Sequence, residues 1–120
     1  MCLKCHQGVS DEKVLNDIKN SLENPQYDKW NEVSVSHLCI AISGVNGEEC
    51  STLAEQLLDR YIEYKTHNKF GSDGSFFGNP TVEYAKSEKK RALQRKADMK
   101  DYTIQQKKDY IFHGTKPQSS

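Results

Sequence analysis

Val35-Ser-His-Leu-Cys-Ile-Ala-Ile-Ser-Gly-Val-Asn-Gly-Glu-Glu-Cys-Ser-Thr-Leu-Ala-Glu-Gln-Leu-Leu-Asp-Arg-Tyr-Ile62 is the stretch on which the fold turns. Its second half is the clearest helix of the chain, expected over 48–61. There Leu53, Ala54, Leu57, Leu58, Tyr61 and Ile62 form one wide apolar stripe, with Ser51, Thr52, Glu55, Gln56, Asp59 and Arg60 off it. Its first half is ambiguous. Val33, Val35 and His37 alternate as a strand would, whereas Leu38, Ile40, Ala41 and Ile42 fit a buried strand or a buried helix equally well. Gly44 is a natural residue just past a helix C-terminus, which favours a helix over 34–43. A central strand across Val33–Ser43 would give an α/β sandwich instead.

Working outward, Ser10 is a good N-cap, and Asp11 and Glu12 follow in the first turn, where the helix dipole favours acids. Val14, Leu15, Ile18 and Leu22 recur at helical spacing, so a helix is expected over 11–23, stopped by Asn24-Pro25. Gln26 to Glu32 is a connector that Trp30 would anchor on the core. Beyond the central helix, Ile62 to Thr66 has strand character, Asn68 to Gly74 is rich in turn residues, and Ser75 to Phe77 is aromatic and strand-like. A β-hairpin is therefore expected across 62–78. From Thr81 to about Tyr110 there is neither Gly nor Pro and much Lys, Gln, Glu, Ala and Arg, so one long basic helix is expected over 81–110. Its apolar residues are too sparse for a coiled-coil seam. The chain thus divides into an irregular N-terminus (1–9), a core domain (10–80), a long basic helix (81–112) and a frayed tail (113–120).

The net charge is zero, but it is unevenly spread. Residues 1–64 hold 5 Lys/Arg against 11 Asp/Glu, and residues 65–120 hold 12 against 6. One end is expected to meet an acidic partner, or the two halves to meet each other. The bland alternative is a solvated charged helix. No stretch approaches the ~20 apolar residues of a membrane span, and Met1–Ser10 holds no apolar signal region. A cytoplasmic or nuclear protein is expected, with its four cysteines present as thiols or metal ligands.

The order helix, helix, sharp turn, strong helix, hairpin resembles a winged helix-turn-helix over about residues 11–84. An apolar helix ends at Gly44-Val45, Asn46 and Gly47 form a polar turn, and a leucine-striped helix leads toward a wing. The resemblance implies a mainly α (α+β) fold and a dimeric DNA-binding transcription regulator, not an enzyme. Ser51, Thr52 and Gln56 would read bases. Lys65, His67 and Lys69 on the wing, and Lys86, Lys89, Lys90, Arg91, Arg95 and Lys96 on the long helix, would contact the backbone. Within that helix Lys86, Lys89, Lys96 and Lys100 share a face as a basic ridge, and the helix is expected to project from the core toward DNA or a second subunit. Glu48, Glu49 and Glu55 depart from the DNA-binding pattern, because they repel phosphate. The alternative is therefore a protein-protein interaction module, a small inhibitor or adaptor with an acidic face and a basic helix.

No resident cofactor is expected, zinc being the one candidate metal. Cys2 and Cys5 have the C-x2-C spacing of a knuckle, with His6, Cys39, Cys50 or His113 as completing ligands. The same residues with His6 match a haem-attachment motif, which an unexported chain does not use. The plainer account is two exposed thiols, with Cys39 in the core. Gly44–Thr52 matches a phosphate-binding P-loop only in outline, with Glu49 in place of the second Gly and Cys50 in place of the Lys.

Overall fold

The computed structural model describes residues 10–67 and 80–117, and among them it contains five α-helices and no strand. They are α1 (Asp11–Glu23), α2 (Glu32–Ile42), α3 (Glu48–His67), α4 (Pro80–Asp98) and α5 (Ile104–His113), with a 3-10 turn at Tyr27–Lys29. Among the described residues the fold is all-helical, which corrects the expected α+β class, and the first strand of the expected hairpin wing is helix.

α1 starts where its sequence says, with the Ser10 side chain accepting from the backbone N–H of Lys13. α2 resolves the ambiguous segment as a helix, because Asn31 caps it by accepting from Ser34 N–H. The turn after α2 is closed by local bonds. Gly44 N–H donates to Ala41 O, Gly47 N–H to Gly44 O, and the buried Ser51 hydroxyl to Ile42 O at 2.5 Å. Gly44 and Gly47 both take positive φ, at 99° and 101°, the region glycine enters without strain.

The strand expected at Ile62–Thr66 is the last turn and a half of α3. Its β-branched and aromatic residues suggested a strand, but burial overrides propensity here. Tyr61 is fully buried, Ile62 and Tyr64 pack beside it, and the Thr66 hydroxyl donates to Ile62 O at 2.7 Å. The rest of the expected hairpin, together with Lys69, lies outside the described residues.

The expected single helix over 81–110 is two helices. The break spans Met99 to Thr103, with Met99 buried and Tyr102 N–H donating to Met99 O. Thr103 and Gln106 form a capping box that starts a new helix, and Gly114 ends it at positive φ.

α4 does not project, a second correction. It lies in the groove between α2 and α3, roughly parallel to α2 and antiparallel to α3. Tyr84 and Arg95 reach Ser36 and Ser43 of α2, while Lys89 and Lys96 reach back along α3. Sparse apolar content misled because Ala85 and Ala92, seven residues apart, are fully buried and let the backbones approach closely. The half-buried lysine stems cover the flanks of the contact. The main core comprises Val14 and Ile18 of α1, Val35, Leu38 and Ile42 of α2, and Ala54, Leu57, Leu58 and Tyr61 of α3, capped by Tyr27 and Trp30.

The charge asymmetry of the sequence is thus met within one chain. Lys89 pairs with Asp59 and lies 3.8 Å from Glu55, Lys96 is 3.3 Å from Glu48, and Lys108 is 3.1 Å from Asp11. Lys89→Glu would set three carboxylates together on the α3–α4 seam. With the Lys89 side chain 23% exposed and its partners more so, we expect a loss of roughly 1–2 kcal/mol after solvent screening. The pairing of Lys89→Glu with Asp59→Lys should recover about half. Urea titrations of the two variants measure this, and an unchanged midpoint for Lys89→Glu would remove the seam from the stability of the fold.

Candidate functional site

The residues singled out in the sequence divide into three groups. Ser51 is buried with its hydroxyl committed to Ile42 O, so it reads nothing. Lys89 and Lys96 are engaged by α3 carboxylates, and Arg95 donates from Nε to the Ser43 hydroxyl at 3.2 Å. The remaining residues face solvent: Thr52 and Gln56 on α3, His67 at its end, and Lys86, Lys90 and Arg91 on the outer side of α4. Lys65 is half-exposed, its ammonium 5.8 Å from the centroid of the Tyr61 ring.

α4 therefore separates its cations by side. The ridge expected from Lys86, Lys89, Lys96 and Lys100 is split, because Lys89 and Lys96 lean over the seam while Lys86 and Lys100 stay exposed. Outward, Lys86 and Lys90 are one turn apart, with Arg91 beside them and Glu83 and Asp98 on the same surface. Arg91 also lies 3.8 Å from Glu88. The start of α3 is acidic, with Glu48 and Glu49 exposed where the helix dipole stabilises them.

Around the α2–α3 turn a second polar cluster gathers from three distant segments. Asn46 donates from Nδ2 to Asp11 Oδ1 at 2.7 Å, and the same carboxylate holds Lys108 of α5. Asn46 Oδ1 is buried without a donor. Lys107, the neighbouring residue on α5, is buried over Gly44. Sequence patterning missed this cluster, since nothing in Gln105-Gln106-Lys107-Lys108 distinguishes the lysine that turns inward.

Cys2, Cys5 and His6 lie outside the described residues. Cys39 and Cys50 are both buried, on α2 and α3, and no group of three or more His, Cys, Asp or Glu is placed to hold a metal among the described residues. Burial pushes both thiols from 9.0 up to about 12, helped by the charge of Glu88 near Cys39 and of Asp11 near Cys50. At pH 8 the thiolate fraction of each is therefore on the order of one in ten thousand. A thiol reagent at that pH should leave both unlabelled until denaturant unfolds the chain. The linkage has a definite sign. The folded thiols titrate higher than the unfolded ones, so their contribution is complete below about pH 9 and is lost as pH rises toward about 12. Burial raises the Tyr27 and Tyr61 phenols as well, which steepens the loss above pH 10. Denaturant midpoints at pH 8 and pH 10.5 test this, and a midpoint that holds or rises would contradict it.

No helix among the described residues is long and apolar enough to cross a membrane. No protein-family model, curated protein or solved structure matches the chain.

Proposed function

We propose that the chain is a non-enzymatic protein-interaction module that presents the outer face of α4 to an acidic partner protein. One observation carries this reading: the cations facing α3 are neutralised internally, while Lys86, Lys90 and Arg91 remain outward on a helix held rigid by its buried Ala85 and Ala92. Three cations with Glu83 and Asp98 among them, and with Glu88 3.8 Å from Arg91, are few for gripping a phosphate backbone, where affinity scales with the number of phosphates neutralised. They suit a mixed polar protein surface, where complementary charges set orientation and encounter rate.

A second reading, a DNA-binding regulator, is favoured by the helix–turn–helix succession of α2 and α3 and by the exposure of Thr52 and Gln56. Exposed Glu48 and Glu49 at the start of α3 weigh against it.

The test uses Lys86→Gln/Lys90→Gln/Arg91→Gln, which keeps helix propensity. Partners captured from nuclease-treated extract by wild type and lost with the triple variant support the protein module. Capture that is unaffected by the substitutions contradicts it. Wild-type binding to duplex DNA that weakens steeply between 50 and 200 mM salt, roughly one log-log unit per phosphate contact, would establish the second reading instead.

A further inference from the structure

α5 is a complete helix with little hold on the rest of the chain. Thr103 and Gln106 start it with a capping box, and Gly114 ends it at positive φ, its N–H donating to Tyr110 O. Gln105 donates to Asp109 along it at 3.1 Å. Yet among the described residues α5 gives no side chain to the main core, and Lys107 is its one buried residue. Ile104 is exposed, and Tyr110, Ile111 and Phe112 are half-buried. The core of α1 to α4 is assembled without α5, which is the condition for an element to open by itself.

Two contacts seat α5 over the α2–α3 turn. The Lys107 stem lies across Gly44, with Cδ and Cε 3.8 and 3.9 Å from the position a Cβ there would take, and its charge stays at solvent. Lys108 Nζ is 3.1 Å from Asp11 Oδ1, the oxygen that Asn46 Nδ2 reaches at 2.7 Å. Between Gly44 and Asn46 stands Val45, fully buried yet outside the main core. Asn46 Oδ1 is buried without a donor, a cost that water reaching the turn removes. One aliphatic stem and one half-exposed ion pair therefore hold the closed arrangement, and an orphaned acceptor works against it.

We propose that α5 is a strap that closes over the α2–α3 turn, opens as a unit about residues 100–102, and uncovers Val45 when it does. The hinge lies between Met99, buried at the end of α4, and the Thr103 cap. Opening leaves α1 to α4 packed and presents an apolar patch at the turn that is covered in the closed state. The strap is separate from the outer face of α4 and does not rest on the protein-contact reading.

Native-state hydrogen exchange and thiol labelling test it together. Amides of residues 107–111 should exchange roughly a hundredfold faster than those of Leu57 and Leu58, more slowly than an unfolded chain, and with little dependence on denaturant. Ile18→Val weakens the core and should speed the Leu57 and Leu58 amides roughly fivefold while leaving those of α5 unchanged. In Cys2→Ser/Cys5→Ser/Val45→Cys the new thiol should react slowly while Cys39 and Cys50 stay unlabelled, and adding Lys108→Gln should speed it roughly threefold. The proposal is overturned if the α5 amides follow the core in Ile18→Val, or if they exchange as an unfolded chain does. It is equally overturned if the new thiol reacts only together with Cys39 and Cys50, or as fast as a free thiol. Should Val45→Cys fail to fold, exchange in wild type and Ile18→Val decides alone.

Discussion

Tyr61→Ala is expected to cost about 3–5 kcal/mol, and Tyr61→Phe to leave stability unchanged or raise it by about 1 kcal/mol. Tyr61 is fully buried on α3, stacked on Trp30 at 4.7 Å and 23° and meeting the edge of Tyr27 at 6.0 Å. These rings fasten the α1–α2 connector to the central helix. Truncation to alanine removes the largest fully buried side chain and leaves a cavity among rigid rings that collapse poorly. Against a total stability of about 5–15 kcal/mol, that leaves a marginal fold. Phenylalanine keeps the rings in contact and removes a hydroxyl that is buried without a partner. An unsatisfied buried hydroxyl carries its full desolvation cost, so its loss is not a penalty. Chemical denaturation of both variants measures the pair. A Tyr61→Phe variant more than about 1 kcal/mol less stable than wild type would mean that the hydroxyl is bonded after all.

Gly44 provides the second large effect, because backbone and neighbour act together. At φ 99° a side chain is strained whatever the surrounding space, and a Cβ would stand 3.2 Å from Lys107 Nζ. The strain term dominates, since the ammonium is the far end of a flexible chain and can withdraw. Gly44→Ala should cost about 1–3 kcal/mol and Gly44→Val more, its β-branch being least compatible with positive φ. Lys107→Ala separates the two terms. If strain rules, the penalty of Gly44→Ala persists in that background; if the contact rules, most of the penalty disappears. Thermal melts of the four proteins in the cycle give the answer. An undiminished Tm for Gly44→Ala would show that the α2–α3 turn adopts another backbone conformation.

The helices that carry their own end signals were legible before any coordinates. Ser10 with Asp11 and Glu12 announced α1, and the leucine stripe announced α3. Gly44 correctly marked the end of α2, although the run before it could not be resolved by periodicity. The break after Met99 was also written in the sequence, as the Thr103-x-x-Gln106 box, but a long run without Gly or Pro outweighed it. The end of α3 failed for a different reason. Ile62 to Thr66 has strand-forming residues, and the packing of Tyr61 and Tyr64 against Tyr27 and of Tyr61 against Trp30 accompanies the helix there.

The candidate sites were less legible than the helices. Sequence showed opposite charge in the two halves and offered their mutual contact as one explanation. It could not show that Lys96 meets Glu48 or that Lys89 meets Asp59, because those pairs are joined through the packing of Ala85 and Ala92 rather than by local spacing. The basic helix was therefore expected to project outward. Lys107 was invisible for the same reason. Its packing over Gly44 depends on the turn between α4 and α5, which returns α5 to the start of α1 and the end of α2.

The central claim is that α4 belongs to the core and closes its inner charges within one chain. Native-state hydrogen exchange at several protein concentrations tests it most directly. An isolated helix of this length is marginal in water, so a projecting α4 would exchange quickly or be protected only as subunits associate. The packed α4 should instead show amide protection from Ala85 to Ala92 equal to that of Leu57 and Leu58 in α3, opening with the free energy of global unfolding and independent of concentration. Rapid exchange along α4 while α3 stays protected, or protection that rises with protein concentration, would contradict it.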